Sequence, residues 1–164
     1  MMTLWRLSNS DSLDGGPHPG GRWLGGGVPV VVLDPTPLAA ICARLALVEA
    51  QHPRKLPHSY RLLEVLVPQR CILALPPPRA WRQDTAAARA FGHAWLEEGK
   101  SLVLRVPSIS GAEQFLLNCG HADMALCRVQ SRFAHPFEEQ LEAVGPLLGD
   151  GDWLVRTSTA GRGE

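Results

Sequence analysis

The chain has no net charge to spend on an extended anionic partner. Lys+Arg 16 against Asp+Glu 16 leaves the total at zero, which removes the usual electrostatic footprint of a nucleic-acid or membrane-surface binder. Long apolar runs are missing too. The stretches near Val28–Leu33 and Leu45–Val48 are far too short to cross a bilayer. Met1-Met2-Thr3-Leu4-Trp5-Arg6 runs straight into polar residues with no signal-peptide core. A cytoplasmic protein that touches neither membrane nor nucleic acid directly is the expectation. Cys42, Cys71, Cys119 and Cys127 show no CxxC or Cys/His spacing, so free, mostly buried thiols in a reducing compartment are expected, and no metal site. No internal repeat is present.

Glycine and proline, by contrast, are plentiful, at 16 and 14 of 164 residues. Loops should therefore take an unusual share of what is, at this length, one domain. Ser8 to Gly27 is the longest of them, and loops of that length often line a site. The triple glycine Gly25-Gly26-Gly27 precedes a strand and opens no helix, so a dinucleotide fingerprint or P-loop fails on context.

Strands are expected at Leu4–Leu7, Val28–Leu33, Tyr60–Val67, Ser101–Val106, Gln114–Asn118 and Leu126–Phe133, from β-branched content and bounding turn residues. Thr36 caps a helix with Pro37 in its first turn. That helix should run to about Gln51, with Ile41, Leu45 and Val48 on its apolar face. Asp84 caps a second helix over Thr85–Glu98, with Ala88, Phe91 and Trp95 as its stripe and Gly99 as its stop. Leu75-Pro76-Pro77-Pro78 reads as a stiff connector. An amphipathic stretch covers Pro136 to Leu148. The order lacks regular βαβ alternation and points to an α+β domain, a mixed sheet with flanking helices over residues 1–155, followed by a disordered tail at 156–164.

Seven segments, in this order, carry a family resemblance. They are Leu4-Trp5-Arg6-Leu7, Gly20-Gly21-Arg22-Trp23, Gly27-Val28-Pro29-Val30-Val31, and Leu56-Pro57-x-x-Tyr60 with Leu63-Glu64 and Val67-Pro68 behind it. Gly92-x-x-Trp95-Leu96, Ser101 to Ser108, and Leu116-Leu117-Asn118-x-x-His121 complete the set. Together they resemble the RES-domain family, the NAD⁺-degrading toxins of bacterial toxin–antitoxin pairs. The resemblance implies a core similar to ADP-ribosyltransferases and a cleft for NAD⁺. Cleavage of the nicotinamide–ribose bond by hydrolysis or phosphorolysis is implied with it. NAD⁺ is then the substrate, inorganic phosphate a candidate co-substrate, and no resident cofactor is needed. An Xre-type helix-turn-helix antitoxin is the implied protein partner, and a homodimer is left open.

Such a cleavage builds positive charge on the ribose as nicotinamide leaves. The protein must grip the pyrophosphate, orient the ribose and oppose the developing cation. Arg22, in the glycine-rich loop, matches the family's phosphate-gripping arginine, a role suited to a planar fork of donors. Arg6 matches the opening arginine. Ser108, at a strand end, matches the family's serine and is assigned substrate positioning; no His/Asp relay marks it as a nucleophile. Asn118 and His121 are expected to hold a loop together.

Two positions depart from the pattern. The family's aromatic at the end of the second strand is Val32 here, and its helix glutamate is Ala43. Glu49 cannot replace that glutamate, because six helical residues turn about 600° and leave it roughly 120° off the face. Glu64 is a second candidate substitute. A missing carboxylate in a dry site is worth on the order of 3–4 kcal/mol. The departures therefore support an alternative reading, a degenerate RES fold that binds NAD⁺ or a protein without turnover. An unrelated α+β binding or structural module is the third.

Overall fold

Thr36 turns the chain from strand into helix: its Oγ accepts the Ala39 N–H at 3.1 Å, and Pro37 takes the first helical position. The computed structural model describes residues 1–14, 18–50, 53–137 and 139–140. Its elements are β1 (Met2–Ser8), β2 (Val30–Leu33), α1 (Pro37–Leu47), β3 (Arg61–Val67), β4 (Ile72–Ala74), α2 (Thr85–Glu98), β5 (Val103–Pro107), β6 (Glu113–Asn118) and β7 (Arg128–Ala134).

The strands form two sheets. One is antiparallel, in the order β1-β3-β7; the other runs β2-β6-β5-β4, with β4 and β5 parallel and the rest antiparallel. Period-two alternation sends Val31, Leu33, Val103, Phe115 and Leu117 into the core shared with Leu4, Leu63, Val65 and Val67 of the first sheet. The alternate residues Val30, Leu104, Val106 and Leu116 meet Ala88 and Trp95 of α2 in a second core. Ala40, Ile41 and Leu45 of α1 cover Leu7 and Leu62 on the far side of the first sheet. The α+β domain is thus four-layered: helix, sheet, sheet, helix.

Most elements fall where the sequence places them, and the differences have local causes. The second strand starts at Val30 and not Val28, because Pro29 has no N–H to give and the Val30 N–H turns back to Val28 O. Helix α1 stops at Leu47, short of Gln51: Glu49 takes a left-handed φ of 53°, and the Ala50 N–H closes on Leu45 O at 3.0 Å. Val48 is therefore 43% exposed and forms no part of the buried face. Strand β7 begins after a 3₁₀ turn at Ala122–Leu126, capped by the His121 ring. Helix α2 matches its expected bounds, with Asp84 capping Ala87 N and Gly99 at φ 57° ending it. The expected tail at 156–164, and all but the start of the stretch from Pro136 to Leu148, lie outside the described residues.

Cys71 is buried and Cys119 and Cys127 are half-buried, but Cys42, at the edge of the buried stripe of α1, is exposed. Burial raises the thiols of Cys42, Cys119 and Cys127, the last to about 11, so they are poorly nucleophilic. Among the described residues no helix is long and apolar enough to cross a membrane.

Candidate functional site

The two sheets are joined at one corner, where Trp5 of β1 and Asp34, just past β2, exchange both backbone hydrogen bonds at 2.8 Å. A cavity of about 690 Å³ opens beside that corner, within the size range of small-molecule sites. Its walls come from β1, the glycine-rich loop, β2, α1 and the β5–β6 turn. Arg6, Arg22 and Ser108 all line it, as do Val32 and Ala43. Residues spread over a hundred positions of sequence are thereby gathered at one opening.

The long loop after β1 is held by its own backbone. His18 N–H bonds Val28 O, Gly27 N–H bonds His18 O, and Gly21 N–H bonds Leu24 O, all within 2.9 Å. From α2, His93 Nε2 accepts the Gly25 N–H at 3.0 Å and Arg89 Nε donates to Gly21 O at 2.9 Å. Trp23 anchors the loop in the core: it stacks on Trp81 with centroids 5.2 Å apart, and its indole N–H donates to Pro107 O. The residue before it, Arg22, is consequently delivered to the cavity wall. One guanidinium nitrogen, Nη1, donates to the carbonyls of Trp81 and Arg82 at 3.0 Å each. Arg22 thus staples the loop to the segment before α2, a structural task the sequence did not reveal. Its Nε and Nη2 have no protein acceptor among the described residues.

Arg6 follows Met2 and Leu4 on the face of β1 turned toward the second sheet. Its Nη1 donates to Val32 O at 3.3 Å, while its buried Nε has no partner. Burial, and then Arg44, lower its pKa; Cys119 and Asp34 oppose the shift. Ser108 opens the β5–β6 turn, where its N–H bonds Ala112 O at 2.8 Å and Gly111 adopts φ 88°. Its hydroxyl shares a hydrogen bond with Ser110 at 3.1 Å.

Asn118 and His121 act as loop braces, as expected. Asn118 Oδ1 accepts Gly120 N–H at 2.9 Å, and His121 bridges Gly99 O and Asp123 N–H. Neither candidate substitute for the missing glutamate reaches the cavity. Glu49 is exposed beyond the end of α1, and Glu64 lies in the middle of the first sheet, accepting from Gln130 at 3.4 Å.

Three cavity residues carry chemistry that the sequence reading did not single out. Arg44 extends from α1, donates to Leu7 O at 3.2 Å and lies 5.4 Å over the Tyr60 ring. With Arg6 and Arg22 it gives the cavity three cations, against the carboxylates of Asp34 and Glu113. Asp34 itself is 7% exposed, and burial pushes its carboxyl up to about 6 despite a hydrogen bond from Gln114 and the nearness of Arg6. His18, midway along the loop, is lowered by burial and by Arg6, and its Nδ1 accepts the Gly20 N–H.

The comparisons with known proteins agree on what this arrangement belongs to. Residues 3–141 match the RES domain model. A Pseudomonas putida protein named Toxin Res is 31% identical over 137 residues, covering 79% of this chain and 92% of its own. Among solved structures, the MbcT–MbcA toxin–antitoxin complex of M. tuberculosis contains a chain that superposes with a TM-score of 0.65 at 18% identity. That match covers 86% of this chain and 87% of the other, and the likeness is one of fold. A family model spanning most of the molecule and a relative of this identity lead to one conclusion: the chain belongs to the RES-domain family.

Proposed function

We propose that this protein is the toxin of a toxin–antitoxin pair, and that its cavity binds NAD⁺ and cleaves the nicotinamide–ribose bond. The observation that carries the reading is the convergence of Arg6, Arg22, Arg44 and Ser108 on one cavity in a chain of zero net charge. An excess of arginine at one concave site fits a pyrophosphate, which guanidinium groups bind through paired, charge-assisted hydrogen bonds. Arg22 keeps two nitrogens for that task, and the buried, unpartnered Nε of Arg6 is a donor awaiting an acceptor. The Ser108 and Ser110 hydroxyls at the rim can exchange their mutual bond for ribose hydroxyls. Water or inorganic phosphate then takes up the ADP-ribosyl group.

Support for the toxin role comes from the P. putida relative, and for a protein partner from the toxin–antitoxin complex that shares the fold. The partner proposed is an Xre-type helix-turn-helix antitoxin that closes the cavity. Expression in a bacterium should arrest growth and deplete cellular NAD⁺, and co-expression of an adjacently encoded helix-turn-helix protein should relieve both. Growth without NAD⁺ loss contradicts the proposal. Arg22→Ala should weaken NAD⁺ binding by about 10- to 100-fold in calorimetry, the worth of one or two charge-assisted hydrogen bonds.

A second reading, binding without turnover, draws on Val32 and Ala43. Both face the cavity with no aromatic ring and no carboxylate. It expects a silent wild type and measurable nicotinamide release only in the Val32→Tyr/Ala43→Glu variant.

A further inference from the structure

Asp34 sits at the corner between the sheets with its backbone paired to Trp5 and its carboxyl hydrogen-bonded by Gln114. Its peptide is pinned to Trp5 by two hydrogen bonds of 2.8 Å, and the chain leaves it through Pro35 into the capped start of α1. The carboxyl is therefore held at the cavity wall with little freedom, on the same cavity as Ala43. Groups from every neighbouring element face it: Arg6 from β1, Cys42 from α1 and Gln114 from β6. Arg44 of α1, Glu113 of β6 and His18 of the loop line the same cavity.

Among the described residues no cation forms an ion pair with Asp34. Arg6, whose charge reaches Asp34, donates through Nη1 to Val32 O, and Arg44, which lines the same cavity, donates to Leu7 O. A buried carboxylate left without an ion-pair partner is an expensive arrangement that a fold has no structural reason to keep. Sites that use charge are where such groups collect.

We infer that Asp34 is the carboxylate this cleft sets against the nicotinamide ribose, taking the place of the acidic side chain absent at Ala43. The assignment rests on the NAD⁺-cleaving reading above. In that reaction the bond from ribose C1′ to the pyridinium nitrogen breaks heterolytically. Both electrons leave with nicotinamide, which becomes neutral, and the positive charge passes to C1′ and the ring oxygen. Ionised Asp34 faces that charge and is itself unchanged. Water then bonds to C1′ through its oxygen and gives up a proton to solvent, leaving ADP-ribose. Because the carboxyl titrates near 6, the rate should climb with pH through that value and then level off.

The test measures nicotinamide release and NAD⁺ affinity in wild type, Asp34→Asn and Glu64→Gln. Asp34→Asn should lower kcat by about a hundredfold or more while changing the NAD⁺ Kd less than about threefold, the mark of a group used in the transition state. Glu64→Gln, on the other sheet, should match wild type. Asp34→Asn activity within about tenfold of wild type, or a parallel loss of binding and turnover, overturns the assignment alone. A wild type that binds NAD⁺ but releases no nicotinamide overturns the cleavage reading, and the assignment with it. Should Asp34→Asn fail to fold, the pH profile decides. A rise near 6 that persists in His18→Gln upholds Asp34, and a flat profile between about pH 5 and 8 overturns it.

Discussion

Gly92→Ala is expected to lower the stability of the fold by about 3 kcal/mol, at the upper end of what overpacking a core does. Alanine normally favours a helix interior by about 1 kcal/mol over glycine, so the sign here is the reverse of the usual one. The cause is the Trp23 carbonyl. It lies against α2 at the place where a Cβ on Gly92 would stand. Being backbone, it cannot rotate away as a side chain would. Nor can the loop yield, because Trp23 stacks on Trp81, meets Phe91 edge to face and is hydrogen-bonded to Pro107 O. Either α2 backs off from the second sheet or the loop carrying Arg22 lifts. Thermal unfolding should show a midpoint lower by roughly 6–12 °C for a chain of this size, with weakened NAD⁺ binding alongside. A variant as stable as wild type contradicts this packing.

Asp34→Asn should raise stability at pH 8 by about 1–3 kcal/mol, even as it removes activity. The Asp34 carboxyl is shifted from 3.8 to about 6 by burial, and each unit is worth 1.36 kcal/mol, or ~3 kcal/mol in all. The sign follows from proton binding. Between about pH 4 and 6 the native state holds a proton that the unfolded state has released, so stability falls as pH rises through that window. Above it the full penalty of a buried carboxylate remains, and asparagine avoids it. His18, lowered by burial, acts in the opposite sense: its contribution is lost as pH falls through the ordinary histidine range. Both chains contain His18, so the difference between them isolates Asp34. Urea unfolding of the two at pH 8 and pH 4 should give a gap at the first and almost none at the second. An equal gap at both places the effect in packing and not in charge. A site that is destabilising when ionised and required when working is the usual bargain between stability and function.

Local chemistry explains what was legible in the sequence. Thr36 with Pro37, and Asp84 with Gly99, mark helix ends through bonds that span three or four residues, and those ends fell where expected. The division into two sheets was not legible. Val103-Leu104 and Leu116-Leu117 are apolar on both faces, which marks buried strands without saying which layer each face meets. Strand β4, three residues long and paired in parallel to β5, carries no period at all. Arg6, Arg22 and Ser108 reached one cavity because the family pattern, not any spacing, tied them together. Asp34 escaped notice as a mere strand end: its burial depends on the Trp5 bridge, a contact with residues nearly thirty positions away. Arg44 carries no local signal either: only the packing of α1 against the first sheet makes it part of the cavity's cationic lining.

The central claim is that a RES fold lacking its helix glutamate still splits NAD⁺. Proton NMR of purified wild-type protein with NAD⁺ at pH 7.5 tests it most directly, with Arg22→Ala run in parallel. Free nicotinamide should accumulate with wild type and at a much lower rate with the variant. NAD⁺ left intact by the wild type, or nicotinamide released equally by both, would contradict the account.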